Sequence, residues 1–275
     1  MCRVLEVSRS GYYAWLNRGR SERSRRNENL LSEIRQAHLR SRRIYGSPRI
    51  TDELRDLGHI CNEKRVARLM RQAGIRAKTA RKFRVTTDSR HKYPVSDNLL
   101  NRDFSADHAD QVWLTDITYI WTSEGWLYLA AVMDLYSRRI VGCAMSSRID
   151  AKLTIKALRQ ALDRRHPPEK LLHHSDRGKQ YASGDYRNLM KDHGLISSMS
   201  RKGDCWDNAP MESFWGTLKQ ELIHHERFLT REEAGLKIFE YIEVFYNCRR
   251  RHSSLGSKSP AEFERSADRT KQVLN

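Results

Sequence analysis

Three carboxylates in the second half of the chain have the residue types and spacing of a divalent-metal site. Asp116 lies within a run of β-branched and aromatic residues, where a carboxylate is poorly solvated. A buried carboxylate is costly unless it is paired or bound to a metal. Asp176 follows a short apolar segment, and Glu212 comes after 35 intervening residues, in the first turn of a predicted helix.

Together these three acids are suited to phosphodiester chemistry. Transfer at phosphorus requires a neutralised phosphate, an activated nucleophile and a stabilised leaving oxygen, and a pair of Mg²⁺ ions supplies all of these. Mg²⁺ prefers oxygen ligands and keeps positions for water and substrate. Taken singly, Asp176 also fits a turn, and Glu212 also fits charge compensation at a helix N-terminus. The metal interpretation therefore depends mainly on Asp116.

Other polar residues extend this site or compete with it. Lys219 is two helical turns after Glu212 and therefore shares its helix face, where it would place a cation beside a phosphate. A solvated helix lysine would have the same spacing. Asp134, late in the second predicted strand, is a further candidate to face the site. Asp150 is better explained as a helix cap, and Asp204 and Asp207 as turn residues.

Cysteine and histidine usage argues against other metal or disulfide chemistry. The five cysteines include no closely spaced pair, and an odd number is typical of a reducing cytosol. The pairs His173–His174 and His224–His225 lack cysteines at zinc spacing. The longest uncharged apolar run, Trp126–Met133, is far shorter than the roughly 20 residues of a membrane span. We therefore expect a cytosolic protein without a membrane segment.

The elements that must position the three acids follow the order β-β-β-α-β-α-β-α. Strands are predicted at 112–120, 126–136, 139–146, 171–175 and 195–200, and helices after Asp150, at 183–193 and from Pro210 onward. The first three strands would form an antiparallel meander. The order predicts an α/β fold of the RNase H-like type, with a mixed five-stranded sheet and flanking helices. In that fold Asp176 ends the fourth strand, at the edge where open α/β sheets bind ligands.

Positive charge is concentrated in the first third of the chain. The net charge is +17, and residues 1–92 contain 24 Lys and Arg against 9 Asp and Glu, whereas residues 93–275 contain 27 against 25. Such asymmetry indicates nucleic acid or an anionic membrane surface as a partner, although a solubilising segment would have the same charge. Because the charges alternate with apolar residues at helical spacing, we favour a folded domain that binds nucleic acid.

Residues 27–74 predict three short helices in this basic region. The first is marked by Leu31, Ile34 and Ala37, the second runs from Ser47 as N-cap and Pro48 to Gly58, and the third from Asn62 as N-cap to Gly74. The DNA-contact candidates are Lys64, Arg65, Arg68 and Arg71 on the third helix and Arg49 on the second. A helix-turn-helix-like domain would lay this basic helix against DNA. A plain bundle with a solvated basic face would have the same pattern.

These patterns divide the chain into five segments. They are a partial helix-turn-helix-like segment at 1–22, a basic three-helix DNA-binding domain at 23–75, a basic linker at 76–107, the catalytic core at 108–225 and a C-terminal helical segment at 226–275. Asp207 and Asn208 are cap candidates for the helix that begins at Pro210. Thr230 and Glu233 predict a capping box for a helix that continues through Arg249. Residues 249–251 would either meet DNA or complement the C-terminus of that helix.

At these motifs the sequence resembles the DDE transposases of the insertion-sequence three family, specifically their catalytic open-reading-frame-B product, within the retroviral-integrase superfamily. The segments similar to the family's motifs are 113–119 around Asp116, 174–181 around Asp176, 198–214 with Glu212, the basic residue Lys219, the helical-domain segment 45–50 and the C-terminal residues 246–260. The resemblance covers almost the whole chain.

The resemblance implies cleavage and strand transfer of DNA at the ends of a transposable element. Asp116, Asp176 and Glu212 would be both the catalytic residues and the ligands of Mg²⁺ or Mn²⁺, with two ions expected when DNA is bound. Water, and then a freed 3′-hydroxyl, would attack phosphorus without a covalent protein–DNA intermediate. The implied partners are element-end and target DNA, further copies of this chain on DNA, and an upstream helix-turn-helix protein, separate or joined by a frameshift. The implied location is the bacterial cytosol or nucleoid.

Two other functions fit the residues. One is a non-catalytic DNA-binding regulator that retains the fold, and the other is an RNase H-like nuclease that only hydrolyses. Joining of a labelled DNA end to a target separates all three, because the regulator would bind without cutting and the nuclease would cut without joining.

Overall fold

A computed structural model describes residues 2–78, 96–201 and 205–274, apart from the side chains of residues 205 and 270–274. The chain forms two compact units, one within residues 2–78 and one from residue 96 onward. Most of the predicted linker and the acid at position 204 lie outside the described residues. Within those residues, no helix is both long enough and apolar enough to cross a bilayer.

The N-terminal unit is helical and consists of α1 (Arg9–Leu16), α2 (Glu22–Arg40), α3 (Ser47–Asp56) and α4 (Glu63–Gln72). Ahead of α1, residues 2–6 form a turn. The buried side chains of α2, α3 and α4 form a small core; they are Leu30, Ile34, Ala37, His38, Ile50, Thr51, Leu54, Val66, Leu69 and Met70. The three-helix pattern of the sequence is therefore present, with Leu30 rather than Leu31 fully buried.

The caps of α3 and α4 follow the sequence pattern with one exception. Asn62 caps α4, because its side-chain oxygen accepts a hydrogen bond from the backbone N–H of Arg65 at 2.8 Å. Gly58 and Gly74 follow the two helices with φ of 84° and 67°, the left-handed conformation that ends helices. The prediction that Ser47 caps α3 is wrong: Gly46 is the N-cap, and the Ser47 hydroxyl donates to the carboxylate of Glu63 instead.

The second unit is built on a mixed sheet of five strands in the order β3-β2-β1-β4-β5. The strands are β1 (Val112–Thr122), β2 (Gly125–Asp134), β3 (Ile140–Ser146), β4 (Leu172–Ser175) and β5 (Ile196–Met199). β1, β2 and β3 form the predicted antiparallel meander, and β4 and β5 run parallel to β1. The observed order of strands and helices confirms the predicted α/β fold.

Helices cover both faces of this sheet. α5 (Ala151–Arg165) and α6 (Gly184–Asp192) pack on one face, where Trp113 belongs to a core that also includes Leu158 and Met190. α7 (Ala209–Glu221) packs on β1 and α8 (Arg231–Glu240) packs on β2. Since side chains alternate along a strand, neighbouring residues of β1 point to different helical layers.

Gly142 permits the close approach of α5 to the sheet. A Cβ atom built at this position would lie 2.8 Å from the backbone nitrogen of Ala161 and would also collide with the carbonyl oxygen of Ala157. Asp150 caps α5 as predicted, accepting from the N–H of Leu153 at 3.0 Å. The buried residues of this helix are Leu153, Thr154, Ala157, Leu158, Ala161 and Leu162.

The C-terminal segment supports the sheet from its β3 edge. The Asn247 side chain donates to the carbonyl of Ile140 and accepts from the N–H of Ile140, each at 2.9 Å. The amide thus satisfies both backbone groups of a residue on the edge strand β3. The helix predicted to continue through Arg249 is interrupted, because a π-helical turn, Tyr241–Tyr246, follows α8. Thr230 caps α8 as predicted. The last helix is α9 (Pro260–Leu274).

Candidate active site

Asp116 lies in the middle of β1 with its carboxylate directed toward α7. One carboxylate oxygen accepts from the indole N–H of Trp215 at 2.9 Å, and the other accepts from the backbone N–H of Ile117 at 2.8 Å. Burial, followed by the negative charge of Asp176, raises the pKa of Asp116 to about 7. The charge of Glu212 raises it further, by less. Burial therefore opposes ionisation of Asp116, as the sequence predicts, and the negative charges of Asp176 and Glu212 oppose it further.

Asp176 directly follows β4, the strand next to β1, at its C-terminal end. β1 and β4 pair with a constant offset of 60 residues, from Val112 opposite Leu172 to Leu114 opposite His174. Continued two residues past the last pair, the same offset would align Asp116 with Asp176. The side chain of Asp176 accepts from the N–H of Gly178 at 2.8 Å, which fixes its direction.

Gly178 is required by this turn for steric reasons. A Cβ atom at residue 178 would lie 2.9 Å from a carboxylate oxygen of Asp176 and would overlap the side-chain amide of Gln180. Any larger residue must displace the acid or the amide. The glycine thus allows the backbone to approach the carboxylate closely.

Glu212 approaches the two aspartates from α7. It lies in the first turn of that helix, one turn before Trp215, which contacts Asp116. It is half-buried, and burial raises its pKa. In the part of the chain that the structure describes, no three Asp, Glu, His or Cys side chains are close enough together to ligate a single ion. The charges of Asp176 and Glu212 nevertheless both act on Asp116, so the two acids lie within electrostatic range of it.

The donor set suits a hard divalent cation. Asp116 and Asp176 offer carboxylate oxygens, which Mg²⁺ prefers, and each raises the cost of charging the other. A divalent cation between them would remove that repulsion. The Asp116–Asp176 pair fits such an ion on chemical grounds, and Glu212 is the adjacent acid able to share it.

Lys219 occupies the position that its spacing predicts. Its ammonium lies 5.2 Å from the centre of the Tyr119 ring on β1. Burial lowers the pKa of Lys219, while the charge of Asp116 opposes this effect. The cation is therefore within electrostatic reach of the site rather than on a solvated helix face.

Residues that the sequence did not single out also shape the site. Trp215 was not predicted to have a role, although it is an aromatic residue one helical turn from Glu212, and that spacing is the only signal that could have identified it. Asn208 is the N-cap residue of α7, one of the two predicted candidates, but its side chain makes no cap hydrogen bond. Its amide donates instead to the carbonyl of Thr115 in β1 at 3.1 Å. These two contacts anchor the start of α7 against β1.

Asp207 is neither a helix cap nor a simple turn residue. It is fully buried and accepts hydrogen bonds from the guanidinium groups of Arg102 and Arg201, each with a 2.8 Å contact, and from the Asn98 amide at 2.8 Å. The hydrogen bonds from Arg201, together with the one from Arg102, hold the pKa of Asp207 well below the usual range. Residues 98–102, within the predicted linker, are thereby fixed to the segment that leads into α7.

Contacts in the structure give Asp134 and Arg250 roles other than those considered from the sequence. Asp134, a candidate to face the site, accepts instead from the backbone N–H groups of Asp110 and Ser137 and orders the turn between β2 and β3. Arg250, in the group expected to meet DNA or to complement a helix end, is buried and forms a bidentate ion pair with Glu221 of α7. The sequence could not identify either partner, because each contact depends on chain packing.

The basic residues of the N-terminal unit differ in their availability. Lys64, Arg68 and Arg71 are exposed and recur at i, i+4 and i+7 on one side of α4. Arg65 is half-buried and donates to the side chain of Asn27 at 3.0 Å. Arg49, also half-buried, lies 5.4 Å from the ring of Tyr45. The exposed stripe of α4 is therefore the surface best suited to phosphate contacts.

Family models match most of the chain. An integrase core domain model matches residues 106–205, a second integrase core domain model matches residues 212–267, and an HTH-like domain model matches residues 24–83. The two integrase matches together include the three acids, and the HTH-like match includes α3, α4 and all of α2 except its first two residues.

Curated proteins are similar over nearly their full length. An insertion element IS600 31 kDa protein of Shigella sonnei is 52% identical over 96% of this chain and 97% of its own length. The transposase InsF for insertion sequence IS3A of Escherichia coli is 49% identical over 96% of this chain and 92% of its own length. A chain of the simian T-cell lymphotropic virus intasome aligns with a TM-score of 0.50 at 15% identity, over 83% of this chain and 73% of that one, which supports the fold alone.

Proposed function

Since this chain belongs to the transposase family of insertion sequence IS3, we propose that it cuts and joins DNA at the ends of a transposable element by metal-dependent phosphodiester transfer. Asp116, Asp176 and Glu212 would be the catalytic acids. The observation that supports this proposal most strongly is that Asp176 ends the strand that pairs with β1, while Trp215 of α7 contacts Asp116 and the first turn of the same helix carries Glu212.

The three acids would hold divalent ions, Mg²⁺ or Mn²⁺, with two expected when DNA is bound. Bound ions of this kind neutralise phosphate charge, activate an attacking hydroxyl and stabilise a leaving oxygen. Asp116 would hold the ion as a carboxylate, so protonation of this group and metal binding would compete. Its hydrogen bonds from Trp215 and Ile117 favour the charged form and hold it in place.

The two chemical steps would use the same residues. In the first, the oxygen of water bonds to phosphorus and the bond from phosphorus to the 3′-oxygen breaks, which releases a 3′-hydroxyl. In the second, that hydroxyl attacks a phosphate of the target DNA and displaces a new 3′-hydroxyl. Lys219 would bind the DNA phosphate near the acids, and no protein–DNA bond forms in either step.

The N-terminal unit would bind DNA with the exposed stripe of α4, formed by Lys64, Arg68 and Arg71. Arg65 and Arg49 would assist from partly buried positions. Each phosphate neutralised by a cation releases counterions, so binding should weaken steeply with salt. The proposed domain boundaries remain 23–75 for this region and 108–225 for the core. Further copies of the chain and an upstream helix-turn-helix protein are proposed as partners on DNA.

Strand transfer of a labelled element end in Mg²⁺ tests the proposal. Joining of the label to a target duplex is the expected outcome, and Asp116→Asn, Asp176→Asn or Glu212→Gln should each abolish it while DNA binding persists. Binding without cutting would instead identify a DNA-binding regulator, and cutting without joining would identify a nuclease. An acid whose replacement leaves joining intact does not belong to the site.

A further inference from the structure

An exposed aromatic surface lies on the β1–β2 hairpin, a short distance from the candidate site. Tyr119 is 37% exposed, Trp121 is 60% exposed and Trp126 is 43% exposed. The rings contact one another edge to face, with centroids 5.0 Å apart between Tyr119 and Trp126 and 4.8 Å apart between Trp121 and Trp126. We call these three residues the hairpin rings. Clustered exposed apolar surface of this kind usually marks a binding site.

The hairpin that presents the rings is held rigidly. The Arg231 guanidinium donates to the carbonyl of Trp126 at 3.0 Å and to the carbonyl of Glu124 at 2.5 Å, and the Arg231 N–H donates to the Glu124 carboxylate at 2.9 Å. The N–H of Ser123 donates to the carbonyl of Phe228 at 3.0 Å. Because the turn is fixed from α8 and the segment before it, a ligand would not have to order the rings on binding.

Lys219 connects the hairpin rings to the acids. Its ammonium lies 5.2 Å from the Tyr119 ring centre, and the charge of Asp116 acts on the same group. A cation between an aromatic surface and a phosphate-handling site suits a ligand that has both an anionic backbone and flat apolar groups. A nucleic acid strand has these features, since bases stack on aromatic rings while cations bind the phosphates.

The spacing along β1 matches a few nucleotides. Tyr119 and Trp121 are three and five residues from Asp116, which is about 10 Å and 17 Å at the rise of a strand. Stacked DNA advances roughly 3.4 Å for each nucleotide of one strand. The separation along the strand therefore spans about three to five such steps. Because three and five are odd offsets, the rings point to the face of β1 opposite the Asp116 carboxylate, so a bound strand would pass around the edge of β1 beside Lys219. Beyond Leu114, β1 pairs with β2 alone among the described strands, so the hairpin projects past the end of β4.

We infer that the hairpin rings form a stacking surface for unpaired bases of the DNA strand whose phosphate lies at the acids, with Lys219 binding the backbone between them. This inference rests on the proposed function, because it takes the acids as the reacting site. It adds a requirement that the acids alone do not impose: the DNA end must present bases outside the duplex stack.

Fluorescence titration of the full chain with a twelve-nucleotide oligo-dT strand and with a blunt duplex of equal length tests the inference. Tryptophan emission should be quenched by the single strand, and Trp121→Ala should weaken single-strand binding about tenfold, as expected for losing a stacked base, while duplex affinity changes little. Trp121→Phe should restore most of the loss, since it retains a ring. Phe239→Ala, at a ring of α8 that is 46% exposed, is the control and should leave both affinities unchanged.

Equal loss of single-strand and duplex binding in Trp121→Ala would overturn the inference, as would unchanged single-strand binding. A change in sedimentation mass in the same variant would show instead that the rings cover a second copy of the chain, and would also overturn it. Mg²⁺-dependent joining by the wild-type chain is measured in parallel. If the wild type joins DNA and Trp121→Ala binds the single strand as well as the wild type does, only the stacking surface is refuted. If the wild type does not join DNA, the proposed function is refuted.

Discussion

The indole N–H of Trp215 donates a 2.9 Å hydrogen bond to the carboxylate of Asp116 and thereby ties α7 to the centre of β1. The bond has two consequences. It positions Glu212, one turn earlier on the helix, beside the aspartate pair, and it favours the charged form of Asp116 against the effect of burial. A hydrogen bond to a charged group contributes about 1.5–3 kcal/mol, so its loss should be measurable.

Trp215→Phe removes the donor and retains an aromatic ring. We expect the pKa of Asp116 to rise by about one unit, since 1.4 kcal/mol corresponds to one pKa unit. The acidic limb of the pH–rate profile for Mg²⁺-dependent joining should shift to higher pH by the same amount. Trp15→Phe, at an exposed tryptophan of α1, is the control and should leave the profile unchanged. Identical profiles for the Trp215 variant and the wild type would mean that the bond does not tune Asp116.

Stability without metal should depend on pH through Asp116. Its folded-state pKa of about 7 lies above the ordinary aspartate value of 3.8, so the folded chain holds this proton more tightly than the unfolded chain does. The resulting stabilisation is present at low pH and is lost as pH rises from about 4 through 7. In EDTA, the thermal unfolding midpoint of the wild type should therefore fall between pH 5 and pH 8, and Asp116→Asn should flatten this decline.

Mg²⁺ provides the complementary measurement. At pH 8 the ion should raise the unfolding midpoint of the wild type and have little effect on Asp116→Asn, because only the ionised pair binds it well. Asp163→Asn, on the exposed side of α5, serves as the control and should behave as wild type. If Asp116→Asn retains the full pH dependence, another group is responsible for it.

Much of this arrangement could be predicted from the sequence, since it follows from local patterns. The strand order and the presence of Asp116 in β1 come from hydrophobic alternation, and the position of Asp176 comes from its place at a strand end. The contacts of Asp207 and Asn98 could not be predicted, because 109 residues separate the partners and no periodic pattern relates them. Likewise, spacing placed Glu212 in a helix turn but could not give its distance from the other acids.

Gly178→Ala tests the close packing around Asp176. The new methyl group would lie 2.9 Å from the Asp176 carboxylate, so the acid must move. Overpacking of this kind costs about 1–3 kcal/mol, and catalytic misplacement by about 1 Å can cost roughly a hundredfold in rate. We expect joining to fall by at least tenfold while the chain remains folded by circular dichroism. Gly184→Ala, where a Cβ meets nothing within 4 Å, should retain activity; equal activity of both variants would contradict the steric argument.

The exposed stripe of α4 should determine much of the salt dependence of DNA binding. Arg68→Ala combined with Arg71→Ala removes two potential phosphate contacts, so the slope of log affinity against log salt should become shallower by about 1.8. Arg65→Ala should have a smaller effect, because that side chain is half-buried and bonded to Asn27. Arg187→Ala, exposed on α6, is the control. An unchanged slope in the double variant would mean that this face of α4 points away from phosphate.

The buried ion pair of Arg250 and Glu221 should be decisive for the position of α7. Arg250 donates to both oxygens of Glu221 at 2.7–3.0 Å, and the Tyr241 hydroxyl donates to the same carboxylate at 2.6 Å. Removing one partner leaves an uncompensated buried charge, so Arg250→Met or Glu221→Leu should each lower the free energy of unfolding by about 3–5 kcal/mol. Arg250→Lys should rescue little, since an ammonium cannot form the bidentate contact.

The double variant Arg250→Met with Glu221→Leu separates charge pairing from packing. Because it leaves no unpaired charge, its loss in urea denaturation should be clearly smaller than the sum of the two single losses. Strictly additive losses would show that the two side chains act independently, contrary to their geometry. Since Glu221 ends the helix that begins beside the acids, the single variants should also reduce joining at temperatures where they remain folded. A double variant that regains stability should regain joining with it, if the role of the pair is to hold α7 in place.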